Sequence, residues 1–279
     1  MCIRDSLTAP DAFPLLQVFE RFGLDPFSRW VLTLCYGARL DTKYERLLAY
    51  LQDDITKKIP TVQLAVQLYL PLGESVEAYT AAFARESLFN SLFQREALLE
   101  GNLQLKPMVL AFLSAGSLDS GNGIRIFDGA AEPPADPLVI GQDLAAALDG
   151  AMAGGPQAIA ITGPEGVGRR FQVEHLMARQ KAKCLFADME ALEHRPKAVA
   201  EAALAARLLD AYVCFHGLDT TGPEGEVEPA PPALTEAIAQ ASISREPVFL
   251  LSKRRLPRPV RPATVEFSIP CLLYTSPSP

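Results

Sequence analysis

The sequence has no apolar run approaching the ~18 residues that a helix needs to cross a bilayer, so no membrane span is expected. Its first residues lack the apolar core of a secretory leader, and a cytoplasmic location is the expectation. Histidines and cysteines are few and scattered: His175, His194 and His216, and Cys2, Cys35, Cys184, Cys214 and Cys271. None of the cysteines forms a CxxC pair, so no metal site is expected, and the thiols read as reduced and partly buried. An excess of positive charge is also missing. The net charge of −7 gives no reason to expect nucleic acid or an anionic membrane as the main partner. Apolar residues, in contrast, make up 49% of the 279 positions, enough for two domains with cores of their own.

The two ends read as foreign. MCIRDS at the start and CLLYTSPSP at the finish resemble translated sequencing-adapter read-through, so residues 1–6 and 271–279 are expected to be non-native and to carry no folding information. The chain is then expected to be a piece of a longer protein.

Between those ends, residues 7–115 form a mostly helical block. Phe13 to Phe22 carries Leu15, Leu16, Phe19 and Phe22 at helical spacing. Asp25-Pro26 is a helix start, with the carboxylate at the cap and proline in the first turn, and Gly37 lies just past the expected end. Asp41 caps a third helix, Pro60-Thr61 opens a fourth, and Glu74 to Phe83 is a fifth. Residues 97–105 alternate weakly around Gly101-Asn102, a hairpin-like turn, and Met108 to Leu113 is short and apolar. Helices followed by a small hairpin suggest a winged-helix-like module. Winged helices often read DNA, but residues 7–115 hold 10 Lys and Arg against 12 Asp and Glu, a net of −2. A DNA reader carries a basic footprint, so protein contact is the better expectation for this block, and nucleic acid is not the expected partner.

Residues 116–137 read as a linker rich in glycine and proline, interrupted by the apolar stretch Ile124 to Phe127. Residues 138–270 then alternate. Strands are expected at Ala158 to Thr162, Cys184 to Ala187, Tyr212 to Phe215, Val248 to Leu251 and Thr264 to Phe267. Helices are expected at Leu138 to Met152, Arg169 to Arg179, Pro196 to Leu209 and Pro232 to Ser242, with Gly217 to Pro232 as a surface loop. Short apolar strands alternating with helices imply a parallel sheet covered on both faces, an α/β class.

The first of these strands runs into Gly163-Pro164-Glu165-Gly166-Val167-Gly168-Arg169-Arg170 and then into a helix. Strand, glycine-rich turn and helix are the context of a phosphate loop, GxxxxGK[ST], with Gly163 and Gly168 in register. Glycines let backbone N–H groups curl around a phosphate, and the helix N-terminus adds positive potential. Two positions depart from the pattern. Arg169 stands where the lysine belongs, and its wide planar head does not fit the place of a compact ammonium. Arg170 stands where Ser or Thr would ligate Mg²⁺.

With these residues in view, the second half resembles an AAA+ module. The resemblance aligns Val213-Cys-Phe-His216-Gly217-Leu-Asp219 with the acidic strand motif of that family, Asp219 lying 56 residues after Gly163. His216 then takes the place of the metal-binding aspartate and Gly217 that of the catalytic glutamate, and only Asp219 matches. Lys253 occupies the polar sensor position on the next strand. The chain as a whole resembles the AAA+ subfamily with an N-terminal winged-helix domain, a degenerate first module and an intact second one; such ATPases occur, among other places, beside bacterial contractile injection systems. Phe22-Gly-Leu-Asp-Pro-Phe27, Tyr50-Leu-Gln-Asp-Asp-Ile-Thr56 and Pro60-Thr61-Val62 carry the first part of that resemblance and GPEGVGRR the second.

The resemblance implies a P-loop NTPase domain lacking its helical lid, with no catalytic residue in this stretch. It implies that residues 163–170 and Asp219 are the nucleotide-facing positions, that ATP binds weakly or not at all, and that Mg²⁺ is not held. Arg169, Arg170, Lys253 and Arg254 are then expected to replace the lost cation with fixed positive charge. The intact protein is expected to form ring-type homo-oligomers and to meet protein partners through its N-terminal domain. A slow ATPase with an atypical site, using Asp188 or Asp219, and a winged-helix DNA-binding regulator stand as alternatives.

Overall fold

The computed structural model describes residues 13–69, 82–83, 87–94, 101–118, 123–132, 134, 142–155, 157–192, 196–221, 227–229, 231–243, 246–256 and 264–270. Both expected foreign ends, and the expected helix at Glu74 to Phe83 except its last two residues, lie outside the described residues. The chain divides into two units, Met1–Leu118 and Asp119–Pro279.

The first unit begins with α1 (Pro14–Arg21), α2 (Pro26–Leu40), α3 (Thr42–Leu51) and α4 (Val62–Tyr69). Asp25 starts α2 as its sequence predicts, accepting the Ser28 N–H at 2.9 Å and the Ser28 hydroxyl at 3.0 Å. The helix does not stop at Gly37. Val31, Leu32, Cys35 and Ala38 form one buried face on both sides of that glycine, and their packing outweighs the ~1 kcal/mol that glycine costs inside a helix. The break comes at Asp41, whose extended backbone ends α2 and whose carboxylate accepts the Lys43 N–H at 2.9 Å to start α3.

After a short 3₁₀ turn, Phe89–Leu92, strand β1 (Phe93–Gln94) pairs antiparallel with β2 (Gln104–Leu105). Thr61 bridges to Asn102, and the Leu103 N–H donates to the Pro60 carbonyl at 2.7 Å, so the helix-opening segment forms a third line of this small wing. The apolar stretch at Met108 to Leu113 belongs to α5 (Pro107–Ala115), closed by Gly116 at a left-handed φ of 71°. Phe27, Leu32, Leu92, Leu103, Val109 and Phe112 are all buried and form the centre of this unit.

The second unit contains β3 (Ile124–Asp128), α6 (Gln142–Ala153), β4 (Ala158–Thr162), α7 (Arg169–Gln180), β5 (Lys183–Asp188), α8 (Pro196–Leu208) and β6 (Ala211–His216). A small hairpin, β7 (Asp219–Thr221) with β8 (Val227–Pro229), leads to α9 (Pro231–Ile243), β9 (Val248–Ser252) and β10 (Thr264–Ser268). The six-stranded sheet has the order β10-β4-β9-β6-β5-β3, parallel except for β3, which runs antiparallel to β5.

Two expectations change here. Ile124 to Phe127, read as a piece of linker, is an edge strand in full register with β5. The segment from Gly217, read as surface loop, contains the β7–β8 hairpin.

Residues of β4 and β9 are buried along their whole length, as strands covered on both faces must be. On one face Leu148 of α6 and Val173, Leu176 and Met177 of α7 pack against Ile159, Ile161, Phe186 and Phe249. Helices α8 and α9 pack on each other and against β6 and β9. The chain leaves β4 for β5, past the places that β9 and β6 later fill, and comes back to put β10 on the other side of β4. That reversal at β4 makes its carboxyl end a topological switch point, where open α/β sheets form their crevices.

Candidate functional site

The loop from Gly163 to Gly168 emerges at that switch point. Gly163 donates its N–H to the Ser252 carbonyl of β9 at 3.2 Å, while Ile269, just past β10, donates to the Thr162 carbonyl at 2.8 Å. The loop's entry is thus sewn to both neighbouring strands. A Cβ on Gly163 would lie 2.6 Å from the Ile269 carbonyl oxygen, so only glycine allows this close approach. Gly166 and Gly168 sit at left-handed φ of 83° and 82°, which turn the backbone back before α7. Gly168 is the N-cap of α7 with no side chain bonded to it, so the N–H groups of the helix's first turn, Arg169 and Arg170 among them, have no acceptor within the helix. They are a helix-start array of donors, the backbone half of a phosphate cradle.

The side chains are arranged differently. Arg169 donates through Nη1 to the carbonyl of Gly163, the loop's own first residue. Partial burial lowers the pKa of its guanidinium, while the charges of Asp219 and Glu165 act the other way. Arg170 turns away along α7. Its Nε lies 3.4 Å from Glu174 Oε1, an oxygen that Arg125 of β3 also holds at 3.0 Å. Glu165, which is exposed on the loop, pairs with Lys253 at 3.1 Å. The four cations expected to serve as free positive charge are therefore largely engaged: three of them are tied to protein oxygens.

Asp219 comes to β9 from the far end of β6. One carboxylate oxygen accepts the Ser252 hydroxyl and the other the Lys253 N–H, both at 2.8 Å. His216 ends β6 beside Asp188, with Nδ1 3.8 Å from Oδ1. Burial lowers the His216 pKa; Asp188 opposes the shift and Arg170 and Arg169 add to it. Asp188 Oδ1 also accepts the N–H groups of Glu190 and Ala191, at 3.1 and 3.4 Å, so it caps the turn after β5. Gly217 follows with φ of 65°, and a Cβ there would meet Asp188 Oδ1 at 2.7 Å. A glutamate in that position would need the β5 turn to move.

Sequence reasoning missed Glu174 and Arg125. Half of that cluster had a signal, because Arg170 and Glu174 stand four apart on one helix face. Arg125 had none, since its strand meets α7 only in the folded sheet.

Residues 2–113 match the family model of a winged helix domain, variant. The first unit is accordingly a winged-helix domain followed in the chain by a parallel-dominated α/β sheet. No curated protein matches the chain. Among the described residues no helix is long and apolar enough to cross a membrane.

Proposed function

We propose that this chain is the amino-terminal part of an AAA+-like protein-remodelling ATPase, in which the winged-helix unit meets protein partners and the α/β unit is a non-catalytic module for regulation and ring assembly. The observation that carries this reading is the internal satisfaction of the loop's charged groups. Arg169 closes onto Gly163, and both oxygens of Asp219 are taken by Ser252 and Lys253. Phosphoryl transfer works through a held metal, a positioned water and charge aimed at the phosphate. Arg170 has no hydroxyl for Mg²⁺, and His216 and Gly217 replace the acids that would hold the metal and polarise water. The switch-point position and the helix-start N–H array support descent from a nucleotide cradle. That array is suited to weak, metal-independent contact with a polyphosphate.

The test is a titration of a fluorescent ATP analogue against the full chain and an Arg169→Ala variant, with and without Mg²⁺. Weak or absent binding, indifferent to Mg²⁺ and little changed in the variant, is the expected result. Tight binding that requires Mg²⁺ and disappears in the variant would overturn the proposal and point to Asp188 as a substitute ligand.

One finding favours a second reading. Winged-helix domains often bind duplex DNA, and a salt-sensitive gel shift on random duplex would support that role despite the net charge of −2 over residues 7–115.

A further inference from the structure

The chain leaves β9 through three consecutive exposed cations, Lys253, Arg254 and Arg255. A run of exposed charge is ordinarily a loose, solvated surface, and ordering it costs entropy. This run is anchored at both ends. Before it, Ser252 is 1% exposed and gives its carbonyl to the Gly163 N–H. The Ser252 hydroxyl oxygen accepts the Arg254 N–H at 3.2 Å and lies 2.7 Å from the Arg254 carbonyl. Asp219 takes the Lys253 N–H with one oxygen and the Ser252 hydroxyl with the other. After the run, Leu256 is buried. The carboxylate of Asp219 thus braces a turn whose side chains point to solvent.

The charge of the turn is only partly cancelled. Glu165 pairs with Lys253, but among the described residues neither Arg254 nor Arg255 forms an ion pair. Residues 253–263 hold five Lys and Arg and no Asp or Glu, whereas the unit Asp119–Pro279 holds 15 against 20. Residues 219–229, which begin at Asp219, hold four acids and no cation.

We infer that this braced turn is a recognition site for a short acidic segment of a partner protein. Arg254 and Arg255 each take a carboxylate, and Asp219 is a positioning residue that sets the turn presenting them. Guanidinium forks match carboxylates bidentately, and a backbone ordered in advance loses less entropy on binding. The neighbouring acids select against a long, uniform polyanion such as nucleic acid, which would run from the arginines onto like charge. A few carboxylates need reach no further than the turn. The inference rests on the turn's bracing and charge and is independent of the reading of the phosphate loop.

Fluorescence anisotropy of labelled decaglutamate against the full chain tests it, beside an oligothymidylate of ten phosphates. Three variants are compared: Arg254→Glu with Arg255→Glu, Lys181→Glu with Lys183→Glu, and Asp219→Ala. The lysine pair makes the same charge change at the opposite end of the parallel sheet, where β5 begins. The expected result is salt-sensitive binding of decaglutamate whose dissociation constant rises at least tenfold in the arginine pair and less than twofold in the lysine pair. Asp219→Ala removes an acid beside the site, so charge alone predicts tighter binding. Loss of the brace predicts binding severalfold weaker, and that is the result expected in a variant whose circular dichroism matches wild type. The arginine pair, exposed in both members, tests the site even if Asp219→Ala does not fold. No binding of decaglutamate at about 1 mM, or equal losses in the two double variants, would overturn the site. Tighter binding of the oligothymidylate would overturn the acidic-peptide partner. Unchanged or tighter binding in Asp219→Ala would overturn the brace.

Discussion

Glu174 is the sharpest point at which to test the second unit. Its side chain is 12% exposed, and one of its oxygens receives both Arg125 and Arg170, whose side chains are 49% and 52% exposed. Glu174→Gln keeps the shape and removes the charge. In water-like surroundings a unit pair at 3 Å is worth about 1.4 kcal/mol, and half-exposed, salt-screened arginines bring each contact to about 0.5–1 kcal/mol. The two contacts together predict a loss of about 1–2 kcal/mol, or roughly 3–6 °C in the melting of a unit this size. The single tryptophan, Trp30 in α2, supplies an internal control. Far-UV circular dichroism should show the α/β transition moving down, while the Trp30 fluorescence transition stays in place. High salt should shrink the difference, because the arginine heads are open to screening. An unchanged or higher melting temperature would refute the reasoning, since it would mean that removing the carboxylate from water costs more than the arginines return. A Trp30 transition that shifts equally would refute its locality.

Two further outcomes follow from the same unit. Gly129→Ala should destabilise it by about 2–3 kcal/mol or prevent folding, because the new methyl would sit 2.3 Å from the Met177 carbonyl oxygen at the back of α7, where backbone cannot yield; a urea melt that matches wild type would contradict the close approach. His216 has a folded-state pKa below its ordinary ~6.5, so the unfolded chain binds the extra proton more readily between the two values. Stability should therefore fall as pH drops below about 6.5 toward the folded pKa, with Asp188 limiting the loss. His216→Gln should flatten that slope in melts at pH 7.5 and 5.5, and parallel slopes would count against it.

What could be read from the sequence was whatever has a local cause. Asp25 and Asp41 announce helix starts because a cap bonds to the backbone two or three residues on. β4 and β9 announce themselves because burial on both faces demands an unbroken apolar run. Gly163, Gly166 and Gly168 were legible as a loop for the same reason: their backbone angles exclude most other residues. The rest was set by distant partners. β3 is a strand because β5 offers it an edge, and α2 passes Gly37 because the core on either side of it holds the helix straight. The positive charge of Arg169 and Arg170 was plain, but the turn of one head onto Gly163 and the other onto Glu174 exists only in three dimensions.

The antiparallel strand β3 has a consequence for any shortened form of the α/β unit. It covers one whole side of β5, whose residues Cys184, Leu185, Phe186 and Ala187 are all buried. A fragment that starts after Asp128 would bare a row of unpaired N–H and C=O groups along an apolar strand, the kind of edge that recruits strands from other molecules. Such a fragment should precipitate or polymerise even with its loop, its glycines and its helices intact. Strand β3 therefore acts as the α/β sheet's guard against aggregation.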